Sequence, residues 1–228
     1  ICRRLHAAGA QLAIHYHTSA REAQALQTEL NALRANSAAI FSADLLDVQA
    51  LPLLLVQSIA HFGRLDGLVN NASSFYATPL ADASEENWHD LLGTNLKAPL
   101  FLAQAAASEL RRTHGSIVNI VDIHAERPMK NHLVYSVAKG GLRALTLGLA
   151  QELAPQVRVN GVSPGPIVWP EQPDWQDEDK RAEIIAQTLL KRVGTPDDIA
   201  KTVLFLLQDA PYITGQIIAV DGGKSINT

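Results

Sequence analysis

Tyr135 and Lys139 stand four residues apart in "VYSVAKGG", which puts both side chains on one helix face, a turn apart. An ammonium beside a phenol stabilises the phenolate and lowers its pKa from about 10 towards neutrality, making tyrosine usable as a general acid or base. The pair alone says little, because a solvated helix face gives the same spacing. Its company says more. Asp122 ends an apolar run ahead of Tyr135, and Asn95 lies within "GTNLKAP". The stretch "LVNNASSFYATPL" (68–80) crowds two amides and two hydroxyls against the pair Phe75 and Tyr76. Such polarity beside so large a ring, where a strand should end, has to be explained by the elements that carry it.

Those elements alternate. Strand patterns fall at Gln11–His17, 38–44, 65–71, 115–122, 157–163 and 216–223. Helical patterns fall at 19–35, 48–62, roughly Glu85 to Arg112, and Leu133 to Leu153. Ser19 with Glu22 three residues on reads as a capping box for the first of these. Strand–helix alternation with apolar strands predicts a parallel sheet covered on both faces, an α/β doubly wound fold. In such sheets ligands sit beyond the carboxyl ends of the strands. Polar clusters stand at five of those ends: "HYHTS", "AD", "NNASSF", "VD" and "SPGP". Five in register predict one shared crevice. The one long irregular stretch, "SPGPIVWPEQPDWQDEDK" (163–180), has the length of a binding loop, within which Trp169 and Trp175 either cover the site or pack the loop.

Composition narrows the class. The 228 residues are 47% hydrophobic and 18% charged, a globular balance for one domain, with a formal net charge of −4 and no lysine–arginine run to bind nucleic acid. The single cysteine, Cys2, cannot form an internal disulfide, which fits a reducing compartment. No apolar stretch is long enough to span a bilayer and no signal-peptide pattern opens the chain, so a cytoplasmic protein is expected. His89, His114, His124 and His132 lack metal-ligand spacing and read as surface residues; no metal is expected.

Taken together, Asn70-Asn71-Ala72 after a strand, Asn95, Asp122, Tyr135 with Lys139, Ser163-Pro164-Gly165 and a late "DGG" resemble the short-chain dehydrogenase/reductase family along the whole chain. The resemblance implies a Rossmann-type sheet in one NAD(P)-binding domain, residues 1–228. It implies Tyr135 as proton donor, Lys139 holding the nicotinamide ribose and tuning the tyrosine, and Asn95 anchoring a water in the proton relay. Asn71, Ala72, Pro164 and Gly165 fall to the cofactor. Family members open with a strand and a Gly-rich turn that cradles pyrophosphate. Here "ICRRLHAAGA" starts with helical spacing and no start signal, as though inside the helix that follows that turn. The expectation is that the intact protein has these residues.

Two departures sharpen the resemblance. Most members carry Asn-Asn-Ala-Gly and a catalytic serine; this chain has Asn-Asn-Ala-Ser-Ser-Phe and Asp122. A carboxylate against a developing oxyanion is unfavourable, whereas beside basic ring nitrogens it is useful. "NNASSF…VD…YSVAK" resembles the pteridine reductases. That likeness implies Phe75 stacking on a flat pterin, Ser73 contacting pterin or cofactor phosphate, and Asp122 with Tyr135 delivering protons to ring nitrogens.

For the cofactor, His17, Thr18 and Ser19 replace the carboxylate that would hold the ribose of NAD. A turn rich in hydroxyl and imidazole groups at a helix N-terminus suits the 2′-phosphate of NADPH. Asp44 and Leu45 resemble the family's adenine-contacting pair. The helices carrying Asn95 and Tyr135 have broad apolar faces, and the family packs them between subunits, so a homotetramer is expected. Three functions stay open: NADPH-dependent pterin reduction leads, a short-chain carbonyl reductase such as a 3-oxoacyl-thioester reductase is second, and a non-catalytic dinucleotide-binding module is third.

Overall fold

The computed structural model describes residues 1–170 and 175–227. It is an α/β structure in which every strand pairing is parallel. In chain order the elements are α1 (Cys2–Ala7), β1 (Leu12–Tyr16), α2 (Ala20–Leu33), β2 (Ala38–Ser42), α3 (Ala50–Phe62), β3 (Gly67–Asn70) and α4 (Glu85–Leu92). A π turn (Gly93–Lys97) leads into α5 (Ala98–Thr113), then β4 (Ser116–Ile120), α6 (Leu133–Leu153), β5 (Arg158–Pro164), α7 (Glu178–Ala186), α8 (Pro196–Gln208) and β6 (Ile217–Val220). β1 pairs with β2, and the other strands lie in the order β3-β4-β5-β6.

All six expected strands are present, and each lies within its expected span or within one residue of it. The central ones are apolar along their length because both faces are covered. One side of the sheet packs Ile117 and Val159 under Leu102, Ala103, Ala106 and Leu110 of α5 and Leu149 and Leu153 of α6. The other packs Val118 and Val162 under Ile199, Val203 and Leu206 of α8. Alanines on α5 bring that helix close to the sheet. Truncating fully buried Leu110 there would cost about 2–5 kcal/mol.

The helical region expected from roughly Glu85 to Arg112 is present, carried by α4 and α5 joined by the π turn. Two other expectations need correction. Ser19 stands at the N-cap of α2 but makes no side-chain cap bond, so the Ser19–Glu22 box does not form. The stretch 163–180 is shorter as a loop than expected: β5 runs to Pro164 and α7 begins at Glu178, with 171–174 outside the described residues. The reading also omitted α7 and α8. For α8 the signal was in the sequence, since Thr195 and Asp198 form a capping box with Pro196 in the first turn.

Candidate active site

The parallel pairings put the carboxyl ends of β3, β4 and β5 on one edge, and the chemistry gathers beyond β3 and β4. Buried amides lead into it: Asn70 donates to Asn119 Oδ1 (2.8 Å), and Asn119 donates to the Thr146 hydroxyl of α6 (2.9 Å). This chain of hydrogen bonds ties the end of β3 across β4 to the helix that carries Tyr135.

The polar groups of 71–76 then find their partners on α4 and the π turn. Asn95, 1% exposed, donates from Nδ2 to Ser74 O (3.0 Å) and Leu91 O (2.9 Å), while its Oδ1 accepts from the Ser73 hydroxyl (2.6 Å). Asp90 accepts from Ser74 Oγ (3.2 Å) and from the Tyr76 hydroxyl (2.9 Å). One Asn95 amide proton therefore goes to the loop at Ser74 and the other to Leu91 of α4. Asn95 thereby braces the segment holding Phe75 against α4. A π turn adds a residue to one helical turn, which lets Asn95 face this loop while α5 keeps its apolar face on the sheet.

Phe75 is thereby presented to α6. Its ring lies edge-on to Tyr135 at 4.8 Å between centroids and stacks on His132 at 4.8 Å and 16°. Trp175 approaches at 6.1 Å, while Trp169 lies under Arg181, so of the two tryptophans it is Trp175 that joins the site. His132 corrects its expected surface position: it is buried, 8% exposed.

Tyr135 donates its hydroxyl to Asp122 Oδ2 (2.8 Å), and Asp122 Oδ1 caps the short turn at Ile123–Ala125 by accepting from His124 N (2.8 Å). The expected lowering of the Tyr135 pKa is overturned. Burial pushes the phenol well above its usual range, the Asp122 charge and hydrogen bond push it further, and the nearby Ser73 hydroxyl opposes them. Tyr135 is thus held protonated but as a weaker acid than a free phenol, so a bound cofactor or substrate would have to offset part of this shift for it to donate. Lys139 is 2% exposed and donates to Ile120 O (2.9 Å), with its ammonium 5.6 Å from the Tyr135 ring centroid. Burial lowers its pKa to about 8, against a raising pull from Asp122. Lys224, after the last strand, also feels the Asp122 charge and was missed by the sequence reading.

Apart from Ser73, Tyr135 and Lys139, the residues expected at the cofactor lie around this core rather than in it. His17, Thr18 and Ser19 are exposed at the N-terminus of α2, and Asp44 and Leu45 follow β2. Asn71 and Ala72 are exposed after β3, and Pro164 ends β5. Gly165 is required by packing, since a Cβ there would meet Asp221 Cα at 2.6 Å. Two features fit a nicotinamide cofactor. An ammonium has three protons to donate, and Lys139 uses one acceptor among the described residues. Among the described residues the Ser19 hydroxyl makes no cap hydrogen bond at a fourteen-residue helix N-terminus, where an anion is favoured.

A parallel α/β fold with this tyrosine, lysine and asparagine defines an oxidoreductase. The family model described as Enoyl-(Acyl carrier protein) reductase matches residues 1–225, and the chain belongs to the short-chain dehydrogenase/reductase family. Among curated relatives, pteridine reductase 1 of Leishmania tarentolae is 39% identical over 267 positions, covering 99% of this chain and 91% of the relative. A Streptomyces violaceoruber protein named as a ketoacyl reductase of the granaticin polyketide synthase is 42% identical over 181 positions, covering 76% and 71%. The 3-oxoacyl-[acyl-carrier-protein] reductase FabG of Staphylococcus aureus is 35% identical over 218 positions, covering 94% and 88%. Among the described residues no helix is long and apolar enough to cross a membrane.

Proposed function

We propose that the protein is an NADPH-dependent pteridine reductase, one NAD(P)-binding domain that works as a cytoplasmic homotetramer on a dihydropterin, biopterin or dihydrofolate. The observation that carries this reading is the grouping of Phe75, Tyr135 and Asp122. The Phe75 ring lies 4.8 Å from that of Tyr135, whose hydroxyl bonds Asp122. An aromatic ring beside a proton donor and a carboxylate suits a flat heterocycle rich in nitrogen.

When bound, the nicotinamide supplies the hydride. Lys139 and Tyr135 hold its ribose, and Asn71, Ala72, Ser73, Pro164 and Gly165 line its path. His17, Thr18 and Ser19 receive the 2′-phosphate, and Asp44 and Leu45 receive the adenine. Tyr135, kept protonated by burial and by Asp122, gives its proton to a ring nitrogen of the substrate. Asp122 accepts hydrogen bonds from ring N–H or amino groups, and it relays a proton taken up from solvent back to the phenol, so that each turnover consumes one solvent proton. The same carboxylate would oppose an oxyanion growing on a carbonyl substrate.

A second reading, a 3-oxoacyl-thioester reductase, is favoured by the similarity to the ketoacyl reductases. NADPH oxidation separates the two, measured in parallel with dihydrobiopterin, dihydrofolate and a 3-oxoacyl thioester. The expected outcome is kcat/KM highest for a pterin, and higher for NADPH than for NADH at low salt. Preferential turnover of the thioester would replace the pterin reading with the carbonyl one.

A further inference from the structure

Resting on the pterin reading, we infer that His132 is a positioning residue that sets where the substrate ring lies, by backing one face of Phe75. His132 closes the loop before α6, and its backbone is fixed on both sides. Its own N–H bonds Met129 O (3.1 Å), Asn131 O accepts from Thr78 N (2.6 Å), and Thr78 and His132 form an isolated parallel bridge. The imidazole is fixed as well. Nδ1 lies 3.0 Å from Lys130 O, and since a carbonyl only accepts, Nδ1 carries the proton there.

A ring held at both backbone and side chain makes a rigid backing. Phe75 lies against it almost parallel, at 16° and 4.8 Å. Three residues on, Tyr135 touches Phe75 edge-on. His132 is the N-cap residue and Tyr135 stands in the first turn of α6, so the backing and the proton donor are both fixed to the start of that helix. With one face taken by His132, an edge taken by Tyr135 and Trp175 tilted 6.1 Å away, a flat substrate would stack on the opposite face of Phe75 beside that indole. The height of that face above the Tyr135 hydroxyl is then referenced to α6 itself. Without the imidazole, Phe75 can settle into the vacated space and carry the stacking plane with it.

Two substitutions separate the ring from its hydrogen bond. His132→Asn keeps a donor for Lys130 O and loses the aromatic face; His132→Phe keeps the face and loses the donor. In the full-length protein, steady-state kinetics with dihydrobiopterin and NADPH should show H132N raising the pterin KM about two- to twelvefold, the range expected for one lost aromatic contact. Its kcat should fall as well, since the ring is displaced from the Tyr135 hydroxyl, while its NADPH KM stays near the parent's, and H132F should restore both pterin parameters. Thermal unfolding confirms that each variant is folded, and His132→Gln carries the same expectation as H132N should that variant not fold. An unchanged pterin KM in both H132N and H132Q, or H132F as impaired as H132N, overturns the inference alone. A parent that turns over no pterin overturns the reading beneath it and the inference together.

Discussion

Replacing Asp122 with serine sets the two candidate chemistries against each other. Asp122 accepts two hydrogen bonds of 2.8 Å, from the Tyr135 hydroxyl and the His124 amide. Serine removes the charge and shortens the side chain, but it still caps the turn at Ile123–Ala125, so the fold should survive. The Tyr135 hydroxyl, at a residue 4% exposed, loses a hydrogen bond to a charged group, a contribution of about 1.5–3 kcal/mol. Proton delivery by a positioned group contributes about 100- to 10,000-fold to a rate, so kcat for dihydrobiopterin should fall at least about 100-fold. For a carbonyl substrate the sign reverses. A carboxylate about 4 Å from a developing oxyanion opposes it by up to about 4 kcal/mol at an effective dielectric of about 20. D122S should therefore hold or raise kcat on a 3-oxoacyl thioester. Both substrates are assayed on one preparation, with a melting curve to confirm folding. A D122S enzyme whose pterin kcat stays within about threefold of the parent's refutes the role given to the carboxylate.

Tyr135→Phe should keep NADPH affinity, read by fluorescence titration, while kcat drops by at least about 100-fold; near-parental turnover would remove Tyr135 from the mechanism. Lys139 gives a prediction in pH. Its pKa is about 8 when folded, depressed by burial, and 10.5 as the unperturbed value. Between these the unfolded chain binds the extra proton, so stability rises with pH across the window, by up to about 3 kcal/mol in total. The Tm difference, parent minus Lys139→Met, should grow from pH 8 to 10.5, and a constant difference contradicts the assignment. Leu100 of α5 and Leu133 and Val137 of α6 are 41%, 47% and 44% exposed. Light scattering at micromolar concentration should return four times the chain mass, and a monomer would contradict it.

Much of this was legible because the signals were local. The strands announced themselves by apolar runs, and α6 runs from Leu133 to Leu153 as its periodicity predicts. The grouping of Tyr135 with Asp122 also followed from the fold, since a strand end and a helix start meet at the sheet's carboxyl edge. What escaped depends on three dimensions. Spacing puts Lys139 and Tyr135 on one face but cannot say that the ammonium turns to Ile120 O and that burial governs both groups. His132 reads as an ordinary loop histidine, because nothing nearby in sequence indicates that Phe75, fifty-seven positions earlier, will cover it. Ser19 has the residue type of a cap without its bond. A π turn is invisible to periodicity, since one extra residue shifts the phase of a helix without interrupting it.

That turn makes the boundary between site and scaffold sensitive to chain length rather than to composition. One residue of helix advances the side chains by about 100°. The extra residue between Gly93 and Lys97 therefore works as a phase slip. The helix upstream is indexed to the aromatic cleft, and the sixteen residues of α5 downstream are indexed to the sheet. Deleting one residue here would restore a regular helix yet put one of the two halves out of phase, either withdrawing Asn95 from the Ser73–Ser74 loop or turning the alanine face of α5 off the core. Substitutions can adjust the depth or polarity of the cleft one side chain at a time. A single-residue insertion or deletion at 93–97 would instead redraw the cleft and the packing beneath it in one step.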